Sequence, residues 1–223
     1  MHAALLLLAD SRLPAGGHAH SGSLAIAVAE GLVVDLGTLE SFCSGRLATA
    51  GALAAVFAAR AAQVAESGGT WTGGLADLDA ALDARMPAAA ARAASRSLGR
   101  GLIRVARSAW PSTLVEHAPR QPHHSLALGV VTVAAGGTVG DAALLAATSA
   151  VSASCSAAVR LLGLDPFAVT DLQSTLAQQI DQVADAALRW MHVDAASLPA
   201  PSAPHLELLA QRHQRSEVRL FAS

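Results

Sequence analysis

From Ala142 to Val159 the chain runs eighteen residues without a single charged side chain. Few environments accept such a stretch. It is long enough to span a bilayer, but it is built from Ala, Ser and Thr rather than Leu, Ile and Phe, so insertion into lipid would be weakly driven. A helix that is apolar all round normally sits inside a protein, and small side chains let neighbouring helices approach closely. The segment therefore predicts a central, tightly crossed helix. Its other reading is a helix–helix contact between two copies of the chain.

The rest of the sequence agrees with an all-α fold. Alanine, the best helix former, supplies most of a 52% hydrophobic content, whereas aromatics make up 3% and tyrosine is absent, which leaves strands without their favoured residues. The punctuation marks out about eight to ten helices in one compact domain. Gly16-Gly17 is expected to break a first short helix, and a second begins near Ser21 and ends at Gly31. A third, capped by Asp35 or Thr38, runs to about Glu66. A loop around Trp71 precedes an exposed acidic helix with Asp77, Asp79 and Asp83. Pro87 suits the first turn of a helix running to about Trp110. His124 to Ala135, with Val130, Val131 and Val133, fits strand as well as helix. Thr138 and Asp141 form a capping-box pattern for the uncharged helix, which Gly163 ends. Asp165-Pro166 opens another helix that runs to about His192. Residues 1–196 are thus read as the helical domain. Residues 197–223 form a proline-rich linker, a last helix from His205 to Arg215, and a partner-binding tail carrying Phe221.

Composition also removes whole classes of function. All fifteen basic residues are arginine, so lysine-dependent chemistry such as a Walker loop or a Schiff base is impossible. The net charge of −2 is unlike the basic footprint of a nucleic-acid binder. Cys43 and Cys155 form no CxxC and read as two buried small hydrophobes of a reducing, cytoplasmic environment. No G-x-S-x-G occurs, and Ser11, Ser21 and Ser95 read as capping or packing serines. The chain is not expected to be an enzyme.

Two features invite a binding role. Arg92, Arg96, Arg100, Arg104 and Arg107 fall within roughly 120° of a helical wheel, with Leu98, Leu102, Val105 and Ala109 opposite. No Asp or Glu lies between Arg85 and Glu116, so i,i+4 pairing cannot neutralise this stripe. It reads either as a solvated face or as a docking surface for an acidic partner. Gly99 and Gly101 within the same helix cost about 0.5–1 kcal/mol each against alanine, which points to a close backbone neighbour. The histidines are the second feature. His18 and His20 have HxH spacing, and His123-His124 is a further pair. With no third ligand nearby, His18 and His20 are candidates only for a transient or inter-chain metal contact. A small histidine-based metal-binding or storage protein is the alternative function, and nickel titration would discriminate it by tight binding to the chain alone.

Three blocks, in order, resemble the UreF family of urease accessory proteins. The segment LLLLADSRLPAGGHAHSGSLAIAVAEGLV matches its opening signature through Asp10, Ser11, Leu13, Pro14, Gly16, Gly17, His18, Ser21, Leu24 and Gly31. ARAASRSLGRGLIRVA matches an R-x-x-S-x-x-x-G-R-x-L block through Arg92, Ser95, Gly99, Arg100 and Leu102. HHSLALGVVTVAAG and SAVSASCSAAVRLLGLDP match later blocks through His124, Gly129 and the run Ser156 to Leu162, including Arg160. The family's G-L-E after the serine is Ser23-Leu24-Ala25 here, and its later glutamine-containing segment is Leu164-Asp165-Pro166. High alanine and the histidine-containing first block look actinobacterial.

The resemblance implies an all-helical, usually dimeric, cytoplasmic chaperone without catalytic activity. Such a protein bridges UreD (also called UreH) and the GTPase UreG to the urease apoprotein. Nickel is handled by that complex and no cofactor is tightly bound to this chain. Neither nucleic acid nor a membrane is implied as a partner. The matched motifs, the arginine stripe and the tail together give the candidate partner contacts Pro14, Gly16, Gly17, His18, Ser21, Arg92, Arg96, Gly99, Arg100, Arg104, Arg160 and Phe221.

Overall fold

The structure, a computed structural model, describes residues 3–10, 12–15, 20–201 and 203–215. Among these residues every regular element is helical. In order they are α1 (Ala3–Ala9), α2 (Leu24–Ala29), α3 (Leu36–Arg46), α4 (Ala52–Glu66), α5 (Gly74–Ala84), α6 (Ala89–Ala109), α7 (Thr113–Glu116), α8 (His124–Ala134), α9 (Val139–Leu162), α10 (Pro166–Leu188) and α11 (Pro204–Arg215). A π-helical turn at Leu47–Gly51 joins α3 to α4, so Leu36–Glu66 is one continuous 31-residue helix. The all-α expectation therefore holds.

The uncharged segment is α9, and it lies at the centre, packed against α4, α8, α10 and α3. Ala142, Ala143, Ala147, Ala157 and Ala158 are fully buried along it. The expected capping box is present: Thr138 Oγ1 accepts the Asp141 N–H at 3.2 Å, and Asp141 Oδ2 accepts the Thr138 N–H at 2.9 Å. Gly163 ends the helix at φ 64°, a conformation that favours glycine. By length and composition, α9 and Leu36–Glu66 are the two helices among the described residues that could cross a membrane, yet more than half of each apolar window is buried inside the fold.

The π-helical turn lies where α3–α4 touches the central helix. Just before it, Arg46 directs its guanidinium inward, donating from Nε to the Ala150 carbonyl of α9 at 3.1 Å and from Nη1 to the Gly22 carbonyl at 2.9 Å. Gly51 packs directly on Ala150, where a Cβ would stand 3.2 Å from the Ala150 methyl. The extra residue of a π turn is thus placed where α3–α4 meets the central helix.

Several boundaries differ from the sequence reading. The segment at His124–Ala134 is helix, because tertiary burial overrides the β-branched preference of Val130 and Val131. Gly129 there lies on the Ala58 carbonyl of α4, a contact that leaves no room for a side chain. α1 ends at Ala9, where Asp10 turns the chain: its Oδ1 accepts the Arg12 N–H at 2.8 Å. α2 begins at Leu24 rather than near Ser21, whose Oγ accepts the Ala25 N–H at 3.1 Å. Pro87 precedes the N-cap of α6 instead of entering its first turn. α10 stops at Leu188, followed by turns to His192. The unexpected short helix α7 is nucleated by Ser112, whose Oγ accepts the Val115 N–H.

The proline-rich linker is held to the body by its buried Leu198 and by the Arg85 side chain. Arg85, at the end of α5, donates to the carbonyls of Ala196, Leu198 and Pro199 at 2.8, 2.7 and 3.1 Å. α11 then packs on α6 and α2, burying Leu209.

Candidate protein-interaction face

The arginine helix is α6, and its neighbours sort the five arginines into two groups. Arg96 reaches across to α5 and forms ion pairs with Asp79 at 2.8 Å and Asp83 at 2.9 Å, and it also donates to the Gln121 carbonyl at 2.8 Å. Arg92 lies 3.9 Å from Asp83 and donates to the Met86 and Pro87 carbonyls. The stripe is therefore partly neutralised from another helix, which the absence of intrahelical acids did not foretell. The expected exposed acidic helix is modified by the same contacts, because two of its three aspartates turn toward α6 and pair there while staying partly exposed.

Arg100, Arg104 and Arg107 remain exposed, and none of them is in an ion pair among the described residues. The apolar side of α6 is also shifted from the expected one. Gly99, Gly101, Leu102, Ile103 and Ala106 are buried, whereas Leu98 and Val105 are half-buried and Ala109 is exposed.

The glycines in α6 have the close neighbours their cost implied. A Cβ at Gly99 would overlap the Pro122 carbonyl, and one at Gly101 would overlap the Ala15 carbonyl. Gly101 thus seats the N-terminal signature turn directly on α6. Gly99 faces inward and is buried against the Pro122 carbonyl. Ser21 is likewise fully buried, and its carbonyl accepts the Ser154 hydroxyl. Pro14 and Arg160 are exposed. Gly16, Gly17, His18 and Phe221 lie outside the described residues, so the His18–His20 pair does too. At Ser23, where the family's block has glycine, the backbone takes φ 73°, a left-handed conformation that costs a non-glycine residue about 1–2 kcal/mol.

One polar chain escaped sequence reasoning. His123 is 0% exposed, with Nδ1 2.9 Å from Ser95 Oγ and Nε2 2.8 Å from Asp83 Oδ1. The order Ser–His–Asp resembles a hydrolase triad, but the environment decides otherwise. Ser95 Oγ also accepts the His124 N–H at 3.2 Å, Asp83 is paired with Arg96, and the imidazole is sealed from solvent. A general base must reach the proton it abstracts in a substrate pose; this one ties α5, α6 and the start of α8 together. Burial pushes the His123 imidazole below its ordinary value, against the opposing pull of Asp83. Burial would raise the Asp83 carboxyl, but its hydrogen bonds with His123 and Arg96 outweigh that and hold it below the usual carboxylate range.

Asp79, Asp83 and His123 are also the group among the described residues whose ligand atoms lie near enough to share a metal. The Arg96 guanidinium already bonds both carboxylates, so the charge a cation would supply is present. His20 and His124, one from each of the two sequence pairs, are neighbours in space: burial, and then His20, lower the His124 imidazole to about 4. Both rings line a cleft of about 600 Å³ that also borders Arg46, Ser95, Arg160 and Glu207.

Comparison with known proteins agrees with the geometry and the motifs. The UreF family model matches residues 33–177. Along nearly the whole chain the sequence is similar to proteins named urease accessory protein UreF. The one from Mycobacterium sp. (strain JLS) is 46% identical over 220 residues, covering 98% of this chain and 97% of the relative. That of Mycolicibacterium vanbaalenii is 41% identical over 221 residues, covering 99% and 98%. That of Mycobacterium tuberculosis is 42% identical over 223 residues, covering 99% and 98%. A family match over more than half the chain, full-length mycobacterial relatives and an all-helical fold agree: the chain belongs to the UreF family of urease accessory proteins.

Proposed function

We propose that this chain is a non-catalytic cytoplasmic scaffold of urease maturation, one that joins UreD/UreH and the GTPase UreG to the urease apoprotein for nickel insertion and works as a homodimer. The observation that carries the reading is the outward row of Arg100, Arg104 and Arg107 on a helix clamped by Gly99 and Gly101. Guanidinium groups in such a row suit planar, bidentate recognition of carboxylates on an acidic protein surface. In this reading Arg92 and Arg96 hold α5 in place and support the row from behind. Pro14 and Arg160 are further contact points, and the tail with Phe221 is assigned to UreD. Nickel passes to the urease apoprotein through the complex, and no metal is held tightly by this chain.

The test is capture of the GTPase by the triple variant Arg100→Glu, Arg104→Glu, Arg107→Glu, with co-expressed urease read for nickel content. Capture is expected to fall at least tenfold, the equivalent of about 1.4 kcal/mol, with unchanged far-UV circular dichroism. Unchanged capture and full nickel loading would remove the row from the interface. Tight nickel binding by the isolated chain would favour the storage reading instead.

A further inference from the structure

Cys43 and Cys155 are 112 residues apart in sequence, yet their sulfurs lie 3.9 Å from one another, one on α3 and one on α9, both fully buried. They are the only cysteines in the chain. We propose that they form a latent dithiol, a site of intramolecular disulfide formation by peroxide that staples α3 to the central helix. A disulfide needs sulfurs about 2.05 Å apart, so each sulfur must move by roughly 1 Å from its present place. No third thiol is present in the chain to compete.

The polarity of the pair supports the order of steps. The two thiols share a hydrogen bond, and the Gln173 side chain of α10 adds a second to the Cys155 sulfur; together these lower the Cys155 pKa, whereas Cys43 is raised by its bond to Cys155 and by burial. The Cys155 thiolate attacks one peroxide oxygen, breaking the O–O bond and releasing hydroxide, to give a sulfenic acid. The Cys43 sulfur then attacks the sulfenic sulfur, the S–S bond forms, and the hydroxyl leaves as water with the Cys43 proton. Two thiols lose two electrons, one hydrogen peroxide is reduced, and two waters result, counting the proton taken up by the released hydroxide.

The consequence is local to a junction the fold depends on. Cys43 lies one turn before Arg46, whose guanidinium joins the Gly22 turn to Ala150. Closing the bond would fix α3 on α9 next to the π-helical turn.

The experiment treats the full-length protein with hydrogen peroxide, quenches in acid, and reads intact mass and maleimide-reactive thiols after denaturation. The expected result is a monomer lighter by about 2 Da with no reactive thiol, reversed by dithiothreitol. The oxidised protein should also melt about 5–10 °C higher. Cys43→Ser and Cys155→Ser should each abolish the mass loss and the shift in melting. A gain of oxygen atoms in place of the mass loss, disulfides between chains, an unchanged mass, or an unchanged or lower melting temperature of the oxidised monomer would each overturn the proposal.

Discussion

Acidification should weaken this fold through His124 in particular. The ring is largely enclosed, and its pKa falls from 6.5 to about 4, first because burial disfavours the charged imidazolium and second because His20 stands near. A depressed histidine pKa means that the unfolded chain binds more protons, so stability is full above the unfolded value and is lost as pH falls toward the folded one. At about pH 5 the linkage relation, with 6.5 unfolded and about 4 folded, gives a loss near 2 kcal/mol from this side chain alone. For a chain of this size that corresponds to a fall in melting temperature of about 4–8 °C. The assay is urea unfolding followed by circular dichroism at about pH 7.5 and about pH 5, for the wild type and for His124→Gln. The variant should lose most of the pH-dependent difference, whatever its absolute stability. A residual slope of the same sign remains, because the buried His123 is also shifted down. Equal pH dependence in wild type and variant would refute the reasoning.

Two further substitutions probe the frame. Gly101→Ala places a methyl on the Ala15 carbonyl, so it should cost about 1–3 kcal/mol in urea unfolding despite alanine's better helix propensity, and an unchanged midpoint would mean that the signature turn does not rest on α6. Ser23→Gly relieves the left-handed backbone at φ 73° and should raise stability by about 1 kcal/mol in the same assay, whereas a loss would show that the serine side chain contributes more than its strain costs.

What the sequence made legible was local in origin. The Thr138–Asp141 box, the Gly163 stop and the Asp165-Pro166 start each depend on residues within a turn of one another, and all three lie where the sequence places them. The mid-helix glycines were also readable, since their intrinsic cost implied a backbone neighbour, although not that the neighbours would be Pro122 and Ala15. The failures were tertiary. Arg96 finds its acids 13 and 17 residues away on α5, so counting charges along α6 could not detect them. The Ser95–His123–Asp83 chain spans three helices, and Cys43 meets Cys155 only because α3 crosses α9. The β-branched run in α8 was ambiguous because propensity is weak beside the burial of Val130 and Val131 among α4, α6 and α9.

The first turn of α6 is completed by a distant part of the chain. No side chain of its own N-cap serves it; Glu207 of α11 does, accepting the Ala88 N–H at 2.7 Å from a half-buried position where burial raises its carboxyl pKa. A helix cap of this kind is worth about 1 kcal/mol. Any molecule that draws α11 away therefore uncaps the arginine helix, and any molecule that stiffens the start of α6 holds α11 more firmly. By thermodynamic reciprocity the two effects are equal in size, so this single carboxylate would couple a ligand on the C-terminal helix to one on the first turn of α6, within a limit of roughly fivefold in affinity.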